Sequence, residues 1–295
     1  MRALDENETF KITPLPAGRK AVGGRWVFAI KSGPNEEKHK ARFVAKGYSQ
    51  IPEIDYDKTF SPTARMTSIR TVIQLAVQNN LDVHQMDVKA AYLNAPIDKE
   101  IYVEQPEGYV VKGKSSEKLV LKLKKSLYGL KQSGRNWSMK LQSHLIEQGF
   151  VQSKADPCVY VLHSSRQPSD HAILVVWVDD IIIAASNSTL MTDIKTKLSL
   201  NFQMKDLGKI SWFLGIQFCH SMNSITLNQK KHVEKLLEKF KMTDYKPKYT
   251  PCAINLNKFL NEPAEKADAR LYKEIVGSLI YIMTATRPDL CYVIT

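Results

Sequence analysis

The sequence predicts an α+β fold in which helices cover an antiparallel sheet. Segments with strand and helix periodicity follow one another in the middle of the chain as strand, helix, strand, strand, helix, strand. That order is typical of a ferredoxin-like sheet, and strands mixed with segregated helices indicate α+β. The 295 residues, 43% of them hydrophobic, suffice for one large or two ordinary globular domains.

The first half of the chain alternates exposed loops with short apolar segments. The polar stretch KSGPNEEKHK has the turn residues of a loop between two strands. Apolar residues spaced three and four apart, after Pro62, predict a helix over Thr63–Asn80. We place strands at Trp26–Ile30, Ala41–Ala45, Leu81–Val88, Ile101–Val103 and Leu119–Leu123.

The second half begins with a predicted helix at Gly134–Gln148, where Trp137, Leu141 and Leu145 are four apart and Gly149 ends the pattern. Further elements follow from the same periodicities. They are a hairpin of Ile173–Val178 and Ile181–Ala185, a helix at Thr189–Leu200, a closing hairpin of Phe213–Phe218 and Ser224–Leu227, and helices at His232–Phe240 and Leu271–Ala285.

Two adjacent carboxylates, Asp179 and Asp180, interrupt the most apolar run of the chain, ILVVWVDDIIIAA. The run is shorter than the roughly 20 apolar residues that cross a bilayer as a helix. Burying a carboxylate is costly unless it is paired or bound to metal. At the turn of the predicted hairpin, however, both side chains can approach one ion. Asp is also an ordinary turn residue, so the pair alone leaves both interpretations open.

The chain is strongly basic, with a net charge of +12, which favours a polyanionic partner. Its basic residues cluster within residues 31–46, 112–135 and 230–248, as in a groove that follows a nucleic-acid backbone. The alternative is a merely solvated basic surface. The cysteines form no CxxC pair and the histidines no HExxH, so neither a zinc site nor a disulfide framework is expected. No signal peptide is visible, and we expect an intracellular protein without a membrane partner.

A third carboxylate, Asp87 in QMDVKAAYLN, ends another apolar strand that a sheet can bring beside the hairpin tip. Three converging carboxylates repel one another unless cations neutralise them. Mg²⁺ prefers oxygen ligands and is commonly held by one or two carboxylates plus substrate phosphates. Two such ions about 4 Å apart can activate an attacking hydroxyl and stabilise a leaving group. In a basic chain this chemistry indicates nucleotidyl transfer.

Seven stretches resemble, in order, the motifs of copia-type retrotransposon reverse transcriptases, and together they span nearly the whole chain. They are HKARFVAKGYSQ, EIDYDKTFSPTARMTSIR, QMDVKAAYLNAPIDKEIYVEQPEGY, LKKSLYGLKQSGRNW, VVWVDDIIIA, MKDLGKISWFLGIQF and VGSLIYIMTATRPDL. The resemblance implies an RNA-directed DNA polymerase shaped like a right hand, with a ferredoxin-like palm, β-rich fingers and a partial helical thumb.

On this resemblance we expect the fingers largely in residues 1–80, the palm in 81–227 with an insertion near 104–132, and the thumb or start of the connection in 228–295. The implied cofactors are two Mg²⁺ ions, with Mn²⁺ as a substitute. The implied partners are an RNA or DNA template with its primer, dNTPs and other parts of the polyprotein, in cytoplasmic virus-like particles and in the nucleus. The chain ends soon after TRPDL, where the family continues into RNase H, so we expect a polyprotein fragment or a gene remnant.

The motifs also imply roles for single residues. Asp87 and Asp179 resemble the principal catalytic metal ligands, Asp180 the supporting carboxylate, and the Val88 carbonyl a backbone ligand. The other implied contacts are with the triphosphate (Lys40, Arg42), the sugar (Tyr92), the incoming base and template (Tyr128, Gly129), the template (Lys131, Gln132) and the primer end (Trp177, Phe213, Leu214, Gly215), and Lys205 resembles a proton donor to pyrophosphate. Structural alternatives are a core aromatic for Tyr92, a solvated strand face for Lys40 and Arg42, ordinary loop polarity for Lys131 and Gln132, a core hairpin for Phe213, Leu214 and Gly215, and a surface lysine for Lys205.

Three positions depart from the family pattern: Trp177 replaces a Tyr two residues before the Asp pair, Gly134 replaces a Pro, and Glu53 in PEIDY replaces a Gly before IDY. Two functional alternatives therefore stay open. One is a decayed or co-opted copy that binds nucleic acid without catalysis. The other is a two-metal nuclease.

Overall fold

The computed structural model describes residues 1–32, 37–113, 117–163, 170–248, 250 and 268–294, and the fold is mixed α+β, as predicted. Residues 33–36, 114–116, 164–169, 249, 251–267 and 295, which include parts of the predicted loop, insertion and thumb, lie outside the described residues. The helices and strands are α1 (Arg2–Glu6), β1 (Phe10–Pro14), β2 (Gly24–Ser32), β3 (Glu37–Ala45), α2 (Met66–Gln78), β4 (Asp82–Val88), β5 (Tyr102–Val103), β6 (Leu119–Leu123), α3 (Ser133–Glu147), β7 (Val151–Gln152), β8 (Val159–His163), β9 (His171–Trp177), β10 (Asp180–Ala185), α4 (Ser188–Asn201), β11 (Met204–Lys209), β12 (Trp212–Phe213), β13 (Ile216–Ser221), β14 (Ser224–Asn228), α5 (Lys230–Lys239), α6 (Ala269–Ala285) and α7 (Cys291–Ile294).

The largest sheet is antiparallel throughout, in the order β11-β4-β10-β9-β8-β7. Along the chain, β4, α3, β9, β10, α4 and β11 follow the predicted βαββαβ order, with β7 and β8 inserted after α3. The strands β4 and β10 therefore have hydrogen-bonded neighbours on both sides, and neither is an edge strand.

Both faces of this sheet are covered, which explains the unbroken apolar run in β10. Helices α3 and α4 pack on one face through residues such as Leu141 and Ile194. Helix α2 and the β12–β14 hairpins pack on the opposite face, through residues such as Ile73 and Phe218. All five residues of Ile181–Ala185 have 0% exposure, because alternate side chains enter the two separate cores.

The strand that closes the βαββαβ unit is β11 and not Phe213–Phe218, which is the next strand predicted after the helix at Thr189–Leu200. The sequence of β11, MKDLGK, has no apolar alternation, and most of its residues are exposed. β11 is an edge strand that pairs only with β4 in this sheet. An edge strand is held by its backbone ladder on one side, so its side chains need no periodic apolar pattern.

The segment Phe213–Phe218 is also not one strand. Phe213 pairs with Ile216 across a two-residue turn, Leu214–Gly215, in which both residues have positive φ (49° and 75°). The predicted pairing with Ser224–Leu227 is present, because β13 pairs with β14. A two-residue turn with positive φ at both positions matches the twist of an antiparallel pair.

Two smaller sheets are formed by the strands before β4 and by β5 and β6, which follow it. The strands β2 and β3 form a long antiparallel ribbon with Trp26 opposite Phe43. The strands β1, β6 and β5 form a separate sheet, and its apolar side chains share a core with Phe43 and Ala45 of the ribbon. In the described part of the chain, no helix is long and apolar enough to span a bilayer.

A polar cluster links His84 of β4 to helix α4 and to the edge strand β11. The Nδ1 atom of His84 lies 2.7 Å from Nζ of Lys195, and the same Nζ donates to both carboxylate oxygens of Asp206 at 2.9 and 2.8 Å. Burial, followed by the positive charge of Lys195, lowers the pKa of His84 below 6.5, against the opposing charges of Asp206 and Asp82. Folding therefore favours neutral His84.

We expect the protein to lose stability as the pH falls through the lowered pKa of His84. In that range the unfolded chain, in which His84 titrates near 6.5, binds more protons than the folded chain. The stability that neutral His84 contributes is fully present above the pKa of His84 in the unfolded chain. His84→Gln should flatten this part of the dependence of stability on pH. Urea midpoints over a range of about pH 5 to 8 measure it, with the exposed His163→Gln as control. Identical profiles for wild type and His84→Gln would contradict the assignment.

Candidate active site

The pairing of β4, β10 and β9 brings Asp87, Asp179 and Asp180 to one end of the central sheet. β9 and β10 are joined by a two-residue turn, Val178–Asp179, and Asp180 lies opposite Asp87 in the β10–β4 ladder. The backbone N–H of Val88 donates to the carbonyl of Asp179 at 2.7 Å. The predicted hairpin and its position beside the end of β4 are thus present.

A cavity of ≈ 330 Å³ opens at this end of the sheet, between the six-stranded sheet and the β2–β3 ribbon. It has acids on one side and cations on the other. The predicted site residues that line it are Lys40, Arg42, Asp87, Val88, Tyr128 and Asp179. This set combines two carboxylates, two cationic side chains and a phenol around one space, which suits a ligand that carries phosphates and divalent cations.

The third carboxylate, Asp180, is oriented differently. It does not line the cavity, and its Oδ1 atom accepts a hydrogen bond of 3.1 Å from Nε2 of Gln85, which is 6% exposed. Among the described residues, no group of three or more His, Cys, Asp and Glu side chains is placed to hold a metal ion. The expected convergence of three carboxylates is therefore corrected to two that share the cavity and one beside it.

Sequence reasoning missed the role of Gln85. Gln85 and Asp87 are two residues apart in β4 and so share one face, and Asp180 joins that face because it pairs with Asp87. An amide donor is a good partner for a half-buried carboxylate, because it offers a hydrogen bond without adding charge. A Gln two residues before an Asp in a predicted strand was the available signal.

The turn that carries Asp179 is strained. Val178 has φ 57°, although a β-branched residue is rarely found in the left-handed region. Such a conformation costs on the order of 1–3 kcal/mol and persists where the surroundings hold it. The Nε1 atom of Trp137, predicted only as a core residue of its helix, donates to the Val178 carbonyl at 2.6 Å.

Two tyrosine rings lie against one another next to the carboxylates. The ring centroids of Tyr92 and Tyr128 are 4.6 Å apart, and the guanidinium carbon of Arg42 is 5.9 Å from the centroid of Tyr128. Burial raises the pKa of Tyr128 to about 12, with Asp179 adding to the shift and Arg42 opposing it. Burial and then Asp179 also raise the pKa of Tyr92. Both rings are therefore neutral phenols at physiological pH.

Gly129, in the loop after β6, packs closely against the end of the β2–β3 ribbon. Its φ is 94°, and a Cβ atom placed on it would lie 2.1 Å from the carbonyl oxygen of Ala45. The neighbouring Ala45 N–H donates to the Tyr128 carbonyl at 2.8 Å. Only glycine permits this approach, so Gly129 seats the ribbon that carries Lys40 and Arg42 against the loop that carries Tyr128.

The two residues predicted to touch template have different environments. Lys131 is exposed, and its Nζ lies 5.3 Å from the ring centroid of Tyr56. Gln132 has 0% exposure; it donates to the Asp55 carbonyl at 2.7 Å and accepts from Gln50 at 3.1 Å. Because its amide is enclosed and used internally, the template contact proposed for the Gln132 side chain is corrected to a structural role.

The residues predicted at the primer end lie on the α2 side of the sheet. Trp177 is partly buried against the α2 core and sits opposite Asp180. Phe213 is 2% exposed, so its side chain belongs to that core and not to a primer contact. Leu214 and Gly215 form the adjoining turn, and the Leu214 carbonyl accepts a hydrogen bond from the Tyr281 hydroxyl of α6.

Lys205, the predicted proton donor, is in the neighbouring edge strand. It pairs with Asp87 in the β11–β4 register and is exposed, but it does not line the ≈ 330 Å³ cavity. The structure therefore places Lys205 beside Asp87 and leaves its proton-donor role a prediction.

Residues 7–254 match the family model described as reverse transcriptase (RNA-dependent DNA polymerase). The chain is 40% identical over 304 residues to the retrovirus-related Pol polyprotein from transposon TNT 1-94 of Nicotiana tabacum, covering 100% of this chain and 23% of the relative. It is 36% identical over 291 residues to the corresponding polyprotein from transposon RE1 of Arabidopsis thaliana, covering 98% and 19%.

The chain thus spans less than a quarter of the length of these curated relatives. Among solved structures, a foamy viral protease-reverse transcriptase in complex with double-stranded DNA overlaps with a TM-score of 0.44 and 10% identity, over 94% of this chain and 38% of that chain.

Gly129→Ala should destabilise the protein more than the same change at another glycine with positive φ. Positive φ alone costs an alanine about 1–2 kcal/mol, and at Gly129 the new methyl would also overlap the Ala45 backbone. Gly108→Ala is the matched control, because Gly108 has φ 82° and no atom within 4 Å of an added Cβ. Urea unfolding of both variants measures the difference. Equal losses would refute the close-approach argument.

Proposed function

Because the chain belongs to the reverse transcriptase family of copia-type retrotransposon Pol polyproteins, we propose that it is an RNA-directed DNA polymerase that adds deoxynucleotides to a primer 3′-hydroxyl. The observation that carries the proposal is the cavity shared by Asp87 and Asp179 with Lys40 and Arg42. An enzyme of this class must hold divalent cations and a triphosphate side by side, and the cavity offers ligands for both.

The donor set fits Mg²⁺, with Mn²⁺ as a substitute. Two carboxylates supplemented by substrate phosphates are a common environment for this ion. We propose that Asp87 and Asp179 hold two ions, that the Val88 carbonyl is a backbone ligand, and that Asp180, oriented by Gln85, is a supporting charge. When bound, the ions would favour ionisation of the primer hydroxyl and stabilise the charge on departing pyrophosphate.

The side chains of the ribbon and the tyrosine pair position the nucleotide. Arg42 presents a planar set of donors suited to phosphate oxygens, and Lys40 adds a second positive charge. The ring of Tyr128 flanks Arg42 and supports Tyr92, which would lie below the sugar and leave no room for a 2′-hydroxyl. Gly129 keeps this loop against the ribbon.

The reaction transfers one nucleotidyl group. The primer 3′-oxygen forms a bond to the α-phosphorus, the bond from that phosphorus to the bridging oxygen breaks, and pyrophosphate leaves. The hydroxyl proton passes to solvent, and Lys205, next to Asp87 in register, would donate a proton to pyrophosphate. The Asp87 and Asp179 side chains supply the fixed negative charge around which the reactants are arranged.

We also propose the division of labour along the chain. Residues 1–80 would form most of the fingers, 81–227 the palm, and 228–295 the thumb or start of the connection. The template–primer would pass near Lys131, Trp177 and the Leu214–Gly215 turn. As part of a Pol polyprotein, the chain would act with the other parts of that polyprotein, in cytoplasmic particles and in the nucleus.

A catalytically inactive nucleic-acid-binding remnant is the alternative function, for which Trp177 and Gly134 are the sequence arguments.

Asp179→Asn should abolish primer extension on an RNA template with Mg²⁺ while leaving salt-dependent binding of the template–primer intact. The substitution keeps the size of the side chain but removes the charge that a cation requires. Asp193→Asn is the control, because Asp193 forms only an exposed ion pair with Lys197 on α4. Extension by Asp179→Asn would remove the ligand assignment. Binding without extension by wild type would support the inactive remnant.

Tyr92→Ala should admit ribonucleotides, raising their incorporation relative to deoxynucleotides on the order of 10-fold or more. The physical reason is the space that opens once the ring supported by Tyr128 is removed. Tyr92→Phe keeps the ring and should keep the discrimination. Single-nucleotide incorporation with dNTP and rNTP pairs measures the ratio, and an unchanged ratio in Tyr92→Ala would contradict the pocket-closing role.

A further inference from the structure

The carbonyl of Val178 belongs to the peptide that determines where Asp179 points. This peptide joins the residue with φ 57° to the acid that lines the cavity. If the peptide turned over, the Val178 carbonyl would reverse and the φ of Asp179 would change with it, so the carboxylate would leave the cavity. Whatever holds this carbonyl therefore controls the geometry of the acid.

Trp137 is built to hold it. Its Nε1–H donates to the Val178 carbonyl at 2.6 Å, and the residue is 2% exposed. The indole is itself fixed edge-to-face against Phe202, with centroids 5.2 Å apart at 81°. A side chain locked on both sides cannot follow the turn if the turn relaxes, so the hydrogen bond acts as a fixed point.

The opposite side of the turn is tied as well. The next carbonyl, that of Asp179, accepts from Val88 N–H at 2.7 Å, and the Val178 side chain packs against the core beneath α3 and α4. These contacts fix the ends of the turn but not the orientation of the peptide between Val178 and Asp179. The bond from Trp137 Nε1–H acts directly on the carbonyl of that peptide.

We propose that Trp137 is a positioning residue that keeps the Val178–Asp179 turn in its left-handed conformation and so aims the Asp179 carboxylate into the cavity. The inference rests on the proposed polymerase function for its catalytic consequence. It assigns to the buried indole N–H a role in cation binding at a distance, in addition to its packing in the helix α3 core.

Trp137→Phe tests the proposal, because it removes the N–H and keeps an aromatic ring. We expect kcat for primer extension to fall on the order of 10-fold, and the Mg²⁺ concentration for half-maximal rate to rise, with the Kd for template–primer unchanged. Leu141→Val is the control: Leu141 is buried one turn along the same helix, and its loss of packing should lower the thermal midpoint without moving the Mg²⁺ requirement.

A second substitution distinguishes an effect of Trp137 on the conformation of the turn from an effect on core packing. Glycine accepts positive φ freely, so Val178→Gly should make the Trp137 tether less necessary, and Trp137→Phe should cost clearly less in that background. Val178→Ala also loses side-chain contacts but keeps the conformational penalty, so the loss should persist there. Equal losses in the Gly and Ala backgrounds would overturn the proposal and leave Trp137 as a core residue.

A binding measurement distinguishes this inference from the proposed function. Free Mn²⁺ measured by electron paramagnetic resonance, with template–primer and a non-hydrolysable dNTP analogue present, reports cation affinity without turnover. Trp137→Phe should weaken Mn²⁺ binding several-fold, and unchanged affinity would overturn the positioning role. If wild type binds Mn²⁺ in this way but extends no primer, the polymerase proposal fails while the positioning of Asp179 stands. Circular dichroism confirms that each variant is folded.

Discussion

The register between β4 and β10 is the constraint on which the rest of the site depends. Asp180 lies opposite Asp87, and the Val88 N–H reaches the Asp179 carbonyl, only because these strands pair in one alignment. Both faces of β10 are buried, so a shift by one residue would exchange the side chains of two filled cores. Apolar packing along Ile181–Ala185 therefore determines the position of charged groups at the strand end.

The opposite charges of the cavity come from different parts of the fold. The carboxylates belong to the six-stranded sheet, whereas Lys40 and Arg42 belong to the β2–β3 ribbon. The ribbon is attached through backbone contacts at Gly129 and through a buried amide network around Gln132. Glycine gives the close approach, and enclosed amides give hydrogen bonds without charge. Residues that resemble nucleic-acid contacts by sequence thus serve partly to join the two halves of the site.

The correspondence between prediction and structure depends on how local each signal was. The hairpin at Asp179, the helix beginning near Gly134 and the strand ending at Asp87 were recognisable, because each has its own apolar periodicity. β11 was missed because an edge strand with polar side chains carries no such pattern. Phe213–Phe218 was misread because Leu214 adopts a conformation that leucine rarely takes, so nothing in its type marked a turn.

The sequence by itself determined the α+β class, the order of the central elements and the acids and cations at their ends. Periodicity and residue chemistry are carried by neighbours in the chain, so these features can be read without a structure. Only the tertiary structure decided that Asp180 pairs with Gln85, that Gln132 is enclosed, and that Trp137 holds the Val178 turn. Each of these joins residues that are distant in sequence, and their meeting depends on strand register and helix packing that no local pattern records.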